Sequence, residues 1–247
     1  MHRRYSKGKL IVGTRLTSRY LSRRVLLRAW RGAEAEDWLS PGEREVFAEL
    51  RDPSRREGWL CGRLLAKRLI LDDVLAPSVG GEATHPTEFD IHSRDGLGRA
   101  TAPRVTLRGR LQPWALSIAH SDRSVIVALS RAPGVSVGVD VAPVQTWKDG
   151  FLEMWMTPRE RRWVHSEGET RLASTLWAVK EAIYKAVSYG EQFTPLRIEV
   201  CPRAGGGYTY RWDGAKPNAP HTIHVADSDR ETAAIVIAGS SDSQATQ

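Results

Sequence analysis

Cysteine is scarce in this chain of 247 residues, which contains only Cys61 and Cys201. The two cysteines are far apart in the sequence, no CxxC pair occurs and no histidines cluster near them. The sequence therefore contains no zinc-binding pattern. Free thiols in a reducing compartment fit this composition better than one long-range disulfide, so we expect a cytoplasmic protein.

Long apolar runs are absent as well. No stretch reaches the roughly eighteen apolar residues that a membrane-spanning helix needs. The first residues, MHRRYSKGKLIVG, carry positive charge, but no apolar segment with a small-residue cleavage site follows them. We therefore expect neither a membrane span nor a secretory signal peptide.

Acidic residues are missing from the N-terminal end. The first 31 residues include ten Lys or Arg and no Asp or Glu, while the net charge of the whole chain is +7. We interpret residues 1–24 as a poorly ordered, solvated basic arm. Nucleic acid and an acidic protein surface are the alternative explanations. Nucleic acid is disfavoured as a partner because no known binding motif interleaves aromatic residues with these cations.

Helix signals occur in three places. Residues 40–43 (SPGE) and 157–160 (TPRE) each combine an N-cap hydroxyl, a proline at the first helical position and a glutamate that completes a capping box. Apolar residues at helical spacing predict a long helix over residues 54–76.

Strand signals are few in the first half of the chain and frequent in the second. In the first half, VLLRAW (25–30) predicts a first strand, and residues 77–113 predict a turn-dense connection. The last residues, 241–247, are polar, and we expect them to be disordered. The later predicted strands are WALSIAHS, SVIVALS, VSVGVDV, LRIEV, YTYRW, HTIHVAD and TAAIVIA.

The helix around WAVKEAIYK (177–185) separates two kinds of side chain. At about 100° per residue, Trp177, Glu181 and Lys185 lie on a flank of their own. An ordinary i, i+4 ion pair is the structural alternative for Glu181 and Lys185. The opposite, apolar stripe consists of Leu172, Leu176, Val179, Ile183 and Val187.

The strand VGVDVA (137–142) carries one acid, Asp140, on the same face as Gly138 and Ala142. Two residues of minimal bulk beside a carboxylate predict that another element lies closely over this half-buried strand. The structural alternative is that Asp140 caps a strand end.

Together, LSIAHS (116–121), VGVDV (137–141) and WAVKEAIYK (177–185) resemble the three signatures of Sfp-type 4′-phosphopantetheinyl transferases, in that family's order. The resemblance implies an α+β monomer of two similar lobes related by a pseudo-twofold axis, each a small antiparallel sheet packed on a long helix. Coenzyme A would lie in the cleft between them. The N-terminal lobe, 25–133, would bind the nucleotide end, and the C-terminal lobe, 134–240, would carry the metal and catalytic residues.

The family's reaction is the transfer of 4′-phosphopantetheine from coenzyme A to a serine hydroxyl of an acyl or peptidyl carrier protein. The resemblance implies that Asp140 and Glu181 hold Mg²⁺, for which Mn²⁺ could substitute. Glu181 would also accept the serine proton, and Lys185 would bind a pyrophosphate oxygen. Lys180 would contact coenzyme A at the edge of the site, whereas Trp177 would pack.

Basic residues of the N-terminal lobe would bind the nucleotide. Arg55, Arg56 and Arg63 follow the family's R-R-x-x-W-x-x-x-R order, where they would grip the 3′-phosphate and adenine. Arg99 follows Gly98 in a turn that presents a cation to phosphate, although Ala100 replaces the usual proline. A solvated face and a plain surface turn are the structural alternatives.

The LSIAHS segment supplies three further expected contacts to coenzyme A: Ser117, His120 and Ser121. The histidine would contact the phosphates. A histidine satisfied within the fold is the alternative.

One position departs from the family pattern. A second acid is common two residues after the aspartate, and Ala142 stands there. Because Mg²⁺ readily keeps waters as ligands, a water could fill that position. The departure leaves open a homologue that binds coenzyme A or a carrier without transferring anything.

Overall fold

The computed structural model describes residues 8–11, 16–30, 33–72, 84–167, 170–188 and 191–239, without the side chains of 8–11 and 33. Contacts divide the chain into an N-terminal unit that ends at Pro133 and a C-terminal unit that begins at Gly134. Both combine small antiparallel sheets with helices, so the protein is of the α+β class. In the described ranges, no helix has both the length and the apolar character to cross a membrane.

The N-terminal unit contains a four-stranded antiparallel sheet in the order β1-β2-β7-β6 and a three-stranded one in the order β3-β4-β5. The long helix α4 packs on β7 and β6. The elements are β1 (Gly8–Ile11), β2 (Leu16–Ser22), α1 (Arg23–Ala29), α2 (Ala33–Glu36), α3 (Pro41–Glu49), α4 (Pro53–Ile70), β3 (Phe89–Arg94), β4 (Ala100–Leu107), β5 (Arg110–Leu111), β6 (Ala115–His120) and β7 (Ser124–Ser130).

The C-terminal unit contains an antiparallel sheet in the order β11-β12-β8 and a two-stranded pair, β10-β9. The long helix α7 packs on β8 and β12, and its residues Leu176, Val179 and Ile183 are fully buried. Val187, predicted in the same stripe, is exposed. The elements are β8 (Val135–Pro143), α5 (Asp149–Trp155), α6 (Pro158–Glu167), α7 (Thr170–Val187), β9 (Ile198–Pro202), β10 (Tyr208–Trp212), β11 (His221–Asp227) and β12 (Glu231–Gly239).

The capping box of α3 does more than start a helix. Its glutamate, Glu43, accepts from the backbone N–H of Ser40 and of Ile91, and it is ion-paired with the fully buried Lys67 of α4. The Lys67 ammonium also donates to the carbonyls of Trp38, Pro86 and Phe89. A buried charge is tolerated only when it is paired and hydrogen-bonded, and both conditions are met here.

The same arrangement occurs in the C-terminal unit. Glu160, in the capping box of α6, accepts from the backbone N–H of Thr157 and of Val200. It is paired at 2.6 Å with the fully buried Lys180 of α7. Both capping boxes predicted from the sequence are therefore confirmed, and each glutamate also ties its own helix to a strand and to a long helix.

The structure corrects three expectations for the N-terminal half. Residues 16–24, assigned to a poorly ordered arm, form β2 and the start of α1, because Leu16–Ser22 pairs with β7. Acids also neutralise two of their cations: Arg19 pairs with Asp72, and Arg23 with Glu57. Residues 25–30, expected as a strand, continue α1, whose Leu26 is buried. Residues 84–113, expected to be part of a turn-dense connection, contain the strands of the β3-β4-β5 sheet and its hairpin turns.

Some expectations fall outside the described residues. Residues 73–76 of the predicted helix and the tail 241–247 belong to that part of the chain, as do 1–7 and 12–15 of the arm. The described part of the long helix ends at Ile70, with Leu71 as its C-cap.

Candidate active site in the C-terminal unit

Helix α7 lies directly on strand β8 at Gly138. A methyl group built on this glycine would overlap the carbonyl oxygen of Ala182, which belongs to the backbone and has no room to yield. The expected close approach over this strand is therefore confirmed. The expectation of a half-buried strand was wrong, because β8 is buried from Val137 to Ala142.

The close approach joins three of the expected catalytic side chains. The Lys185 ammonium donates to Asp140 Oδ1 at 2.8 Å, and its nitrogen lies 3.5 Å from Glu181 Oε2. Asp140 comes from β8, whereas Glu181 and Lys185 are one helical turn apart on α7. Two carboxylates that are distant in sequence thus meet around one cationic group.

The electrostatics of this cluster raise the pKa of Glu181. Burial raises the pKa of the Glu181 carboxyl above its ordinary value, the Asp140 charge raises it further, and Lys185 opposes both effects. Two acids and one ammonium leave one excess negative charge in a partly buried place. A further cation beside the acids would relieve that excess.

The two carboxylates suit a Mg²⁺ ion that is bound partly by the protein and partly by substrate phosphates. Mg²⁺ is usually held by one or two carboxylates together with waters and substrate phosphates, and Asp140 and Glu181 supply two carboxylates. Ala142, where the family has a second acid on the strand, is buried in the apolar core of the unit. Among the described residues, no group of three or more His, Cys, Asp or Glu is placed to hold a metal.

Aromatic side chains surround this face of α7. Trp177 makes edge contacts with Phe151, Trp155 and Phe193. It packs against the core of the unit, so the expected packing role is confirmed.

Lys180 is a correction. Its ammonium is fully buried and donates to the carbonyls of Trp155 and Pro195, in addition to its pair with Glu160. An ammonium has three N–H donors, and these three partners use all of them. Burial lowers its pKa despite Glu160. Lys180 is therefore a structural residue and does not contact coenzyme A in this arrangement.

In the N-terminal unit, helix α4 runs antiparallel to β6 at matched spacing. A methyl group on Gly62 would lie 2.8 Å from Ile118 Cγ2, and one on Gly58 would lie 2.5 Å from His120 Nδ1. Four helical residues rise about 6 Å, and two strand residues rise about 6.6 Å. The two glycines therefore bring α4 against two successive residues of the same strand face.

One turn earlier on α4, the same register reaches the β6–β7 turn. Ser54 Oγ donates to Asp122 Oδ1, and the next residue, Arg55, has an exposed side chain. Ser121 Oγ accepts from the backbone N–H of residues 123 and 124, which fixes the turn. Arg55, His120 and Ser121 thus lie at one end of the α4–β6 pair, and their contacts to nucleotide stay predictions.

Arg23 was missed because it fell in the supposed arm. It is 4% exposed, and its guanidinium donates to the carbonyls of Ser54 and Ser121 and pairs with Glu57. It therefore ties the first turn of α4 to the β6–β7 turn. Its high burial depends on partners distant in sequence, so no local pattern could have revealed it.

Two expected nucleotide contacts are corrected. Arg63 is buried, donates to Ser93 Oγ at 2.8 Å and lies over the Trp59 ring, with Glu43 nearby. The positive charge of Arg63 is therefore satisfied by groups of the N-terminal unit. Ser117 is 2% exposed and presents no accessible hydroxyl.

Arg56 and Arg99 remain at the surface. Arg56 stacks on Phe47 and lies 3.9 Å from Glu36. Arg99 is bound by Asp95 within its own hairpin turn at 2.7 Å and is otherwise exposed, so its role toward nucleotide also stays a prediction. A role for Arg56 in nucleotide binding stays a prediction.

Comparison with known proteins agrees with the motifs of the C-terminal unit. Residues 136–238 match the model of the 4′-phosphopantetheinyl transferase superfamily. The resemblance seen in the sequence is therefore confirmed over this part of the chain. No curated protein matches the chain.

Solved holo-(acyl-carrier-protein) synthases are similar to part of the fold. That from Bacillus anthracis, in complex with CoA (3′,5′-ADP), is 24% identical, with a TM-score of 0.37, over 42% of this chain and 96% of its own. That from Neisseria meningitidis is 18% identical, with a TM-score of 0.37, over 42% and 97%. That from Helicobacter pylori, in complex with coenzyme A, is 19% identical, with a TM-score of 0.36, over 42% and 99%.

Proposed function

We propose that the protein transfers 4′-phosphopantetheine from coenzyme A to a serine hydroxyl of a carrier protein in an Mg²⁺-dependent reaction. The observation that carries this proposal is the cluster of Asp140, Glu181 and Lys185. It lies in the part of the chain that matches the transferase superfamily.

The reaction asks the protein to handle phosphoryl charge and a proton. The serine oxygen forms a bond to the phosphorus that carries pantetheine, the pyrophosphate P–O bond breaks, and adenosine 3′,5′-bisphosphate leaves. Asp140 and Glu181 would hold Mg²⁺, and when bound this ion would withdraw charge from the pyrophosphate. The other contributions come from side chains of the chain itself.

Lys185 and Glu181 have distinct tasks. With the acids engaged elsewhere, the Lys185 ammonium is in place to bind a pyrophosphate oxygen, where a fixed cation stabilises the charge of the transition state. Glu181 would also accept the serine proton, directly or through a water, because a carboxylate beside the reacting oxygen can act as a general base.

The carrier would be acidic, and coenzyme A would be the donor. Residues 1–70 hold 17 Lys or Arg against 8 Asp or Glu, an excess that would speed encounter with an acidic domain. If so, raising the salt concentration lowers the rate measured at low carrier concentration. An unchanged rate would remove charge steering from the proposal.

The decisive experiment is mass spectrometry of the carrier. A panel of apo-carriers is incubated with the protein, coenzyme A and Mg²⁺, and we expect a carrier to gain the mass of phosphopantetheine on one serine. Chelation should stop the gain, and added Mg²⁺ or Mn²⁺ should restore it. No gain with any carrier and either metal would overturn the proposal.

A second candidate rests on Ala142, which puts an apolar side chain where an acid is common in the family. The protein would then bind coenzyme A or a carrier without transfer. Saturable binding of coenzyme A, with every carrier left unmodified, would identify this function.

A further inference from the structure

We infer that Gly58 is a positioning residue for nucleotide binding, because its missing side chain is what seats the His120 ring against α4. This inference rests on the proposed function only in taking the ligand to be the nucleotide half of coenzyme A. It concerns a residue that no family signature singled out.

The geometry around Gly58 is specific. An ideal methyl group there would lie 2.5 Å from His120 Nδ1 and 2.7 Å from Cε1, so the ring rests on the glycine backbone. His120 is exposed, so the ring touches the helix on one side and remains accessible. Any larger residue at position 58 forces the ring to another place.

The backbone of the turn after His120 is held in place independently of Gly58. Arg23 holds the carbonyls of Ser54 and Ser121 at 2.9 Å each, and its backbone N–H donates to the carbonyl of Arg123. The turn after His120 is therefore anchored to α1 and α4. With the backbone fixed, the space above Gly58 is a condition for the observed direction of the imidazole.

Arg55 adds a positive charge on the helix face of Gly58. It lies three residues before Gly58 on α4, and residues three apart share a helix face. Its exposed guanidinium is thus on the face that carries the His120 ring. A ring in the observed place puts a nitrogen on the same helix face as a cation, and the two together suit a phosphate group.

Substitution of Gly58 should separate folding from binding. Alanine favours helix more than glycine does, and the atoms it would meet, Nδ1, Cε1 and Cγ of His120, belong to the ring of one exposed side chain that can rotate away. Gly58→Ala should therefore fold with an unchanged or higher melting temperature. It should displace the ring and lose the contact that the ring makes with the nucleotide.

The test measures calorimetric affinity for adenosine 3′,5′-bisphosphate, the nucleotide half of coenzyme A, without carrier or metal. We expect Gly58→Ala and His120→Ala to weaken binding by a similar factor, about tenfold or more. The double variant should bind no more weakly than His120→Ala alone, because the methyl group acts only through the ring. In turnover, Gly58→Ala should raise KM for coenzyme A and leave kcat and KM for the carrier unchanged.

Gly62→Ala is the matched control. It adds the same methyl group one turn further along α4, where it meets Ile118 instead of a polar ring. It should change stability without changing nucleotide affinity. An equal loss of affinity in Gly62→Ala would assign the effect to helix displacement and overturn the inference.

The other possible outcomes also support or overturn the inference. Wild-type affinity in Gly58→Ala, or no nucleotide binding by the wild type, overturns the inference. A wild type that binds the nucleotide but modifies no carrier ends the proposed function and leaves this inference standing. If Gly58→Ala does not fold, recovery of folding in Gly58→Ala/His120→Ala supports the contact, and failure of both refutes it.

Discussion

The Lys185 ammonium donates to Asp140 Oδ1 at 2.8 Å and so joins the last turn of α7 to the middle of β8. The same nitrogen lies 3.5 Å from Glu181 Oε2, so one cation is shared by both acids of the proposed site. Substrate and metal would have to share these three groups, which makes each of them sensitive to change.

Asp140→Asn should lower carrier modification by about 10²–10³-fold, because the amide removes a metal ligand while keeping the shape. The ion pair with Lys185 becomes a hydrogen bond to a neutral amide oxygen, at a cost of about 1 kcal/mol of unfolding free energy. Carrier mass spectrometry and urea unfolding measure the two effects. Asp213→Asn, at an exposed acid paired with Arg197, should leave transfer unchanged. Near-normal transfer by Asp140→Asn would place the chemistry elsewhere.

Glu181→Gln should stabilise the metal-free protein in a pH-dependent way. The folded-state pKa of Glu181 is raised, so folding favours the protonated carboxyl and the ionised form opposes folding. The variant should match the wild type well below pH 4.5, the ordinary pKa, and gain relative stability as the pH rises through the folded-state pKa. Denaturant unfolding between pH 4 and 8 checks this. A gain that does not grow with pH contradicts the shift.

Gly138→Ala should disrupt both the fold and the site. Its methyl group meets the Ala182 carbonyl oxygen, so β8 must move away from α7 and Asp140 moves away from Lys185. We expect a loss of at least about 2 kcal/mol of unfolding free energy, together with loss of transfer. Gly150→Ala on α5 has no atom within 4 Å and should be neutral or slightly stabilising. Similar behaviour of the two variants would mean that the close approach is not required.

Lys180→Met should act on stability. Removing the ammonium leaves Glu160 buried and unpaired, at a cost of about 3–5 kcal/mol of unfolding free energy. Adding Glu160→Gln should recover part of that loss. Lys148→Met, at an exposed position, should stay within about 0.5 kcal/mol of the wild type. A stable Lys180→Met protein with weaker coenzyme A binding would restore the role expected from its sequence position.

Local periodicity places Asp140 on one face of a strand and Glu181 and Lys185 one turn apart on a helix. That the three act at one site is what the resemblance to the transferases implied. A strand alternates every residue and a helix repeats every turn, so the face that each residue occupies can be counted. The capping boxes of α3 and α6 are local in the same sense, and both form as expected. Their second use, as partners of buried lysines, joins residues that are 24 and 20 positions apart in the sequence and leaves no local mark.

The wrong predictions also concern contacts between residues that are distant in sequence. Lys180 precedes Glu181 by one residue, yet a rotation of about 100° turns it from the β8 side toward α6 and Glu160. Arg19 and Arg23 look like solvated cations until Asp72 and Glu57 reach them from across the fold. Composition alone cannot foresee which charges will be matched by distant residues.

The two buried ammonium groups, Lys67 and Lys180, have a practical consequence. Amine-acylating reagents cannot reach either nitrogen while its own unit is closed, since both side chains are 0% exposed. Their rates of covalent labelling therefore report separately on how often each half of the molecule opens. Peptide mapping after timed acylation would read the two rates from a single sample.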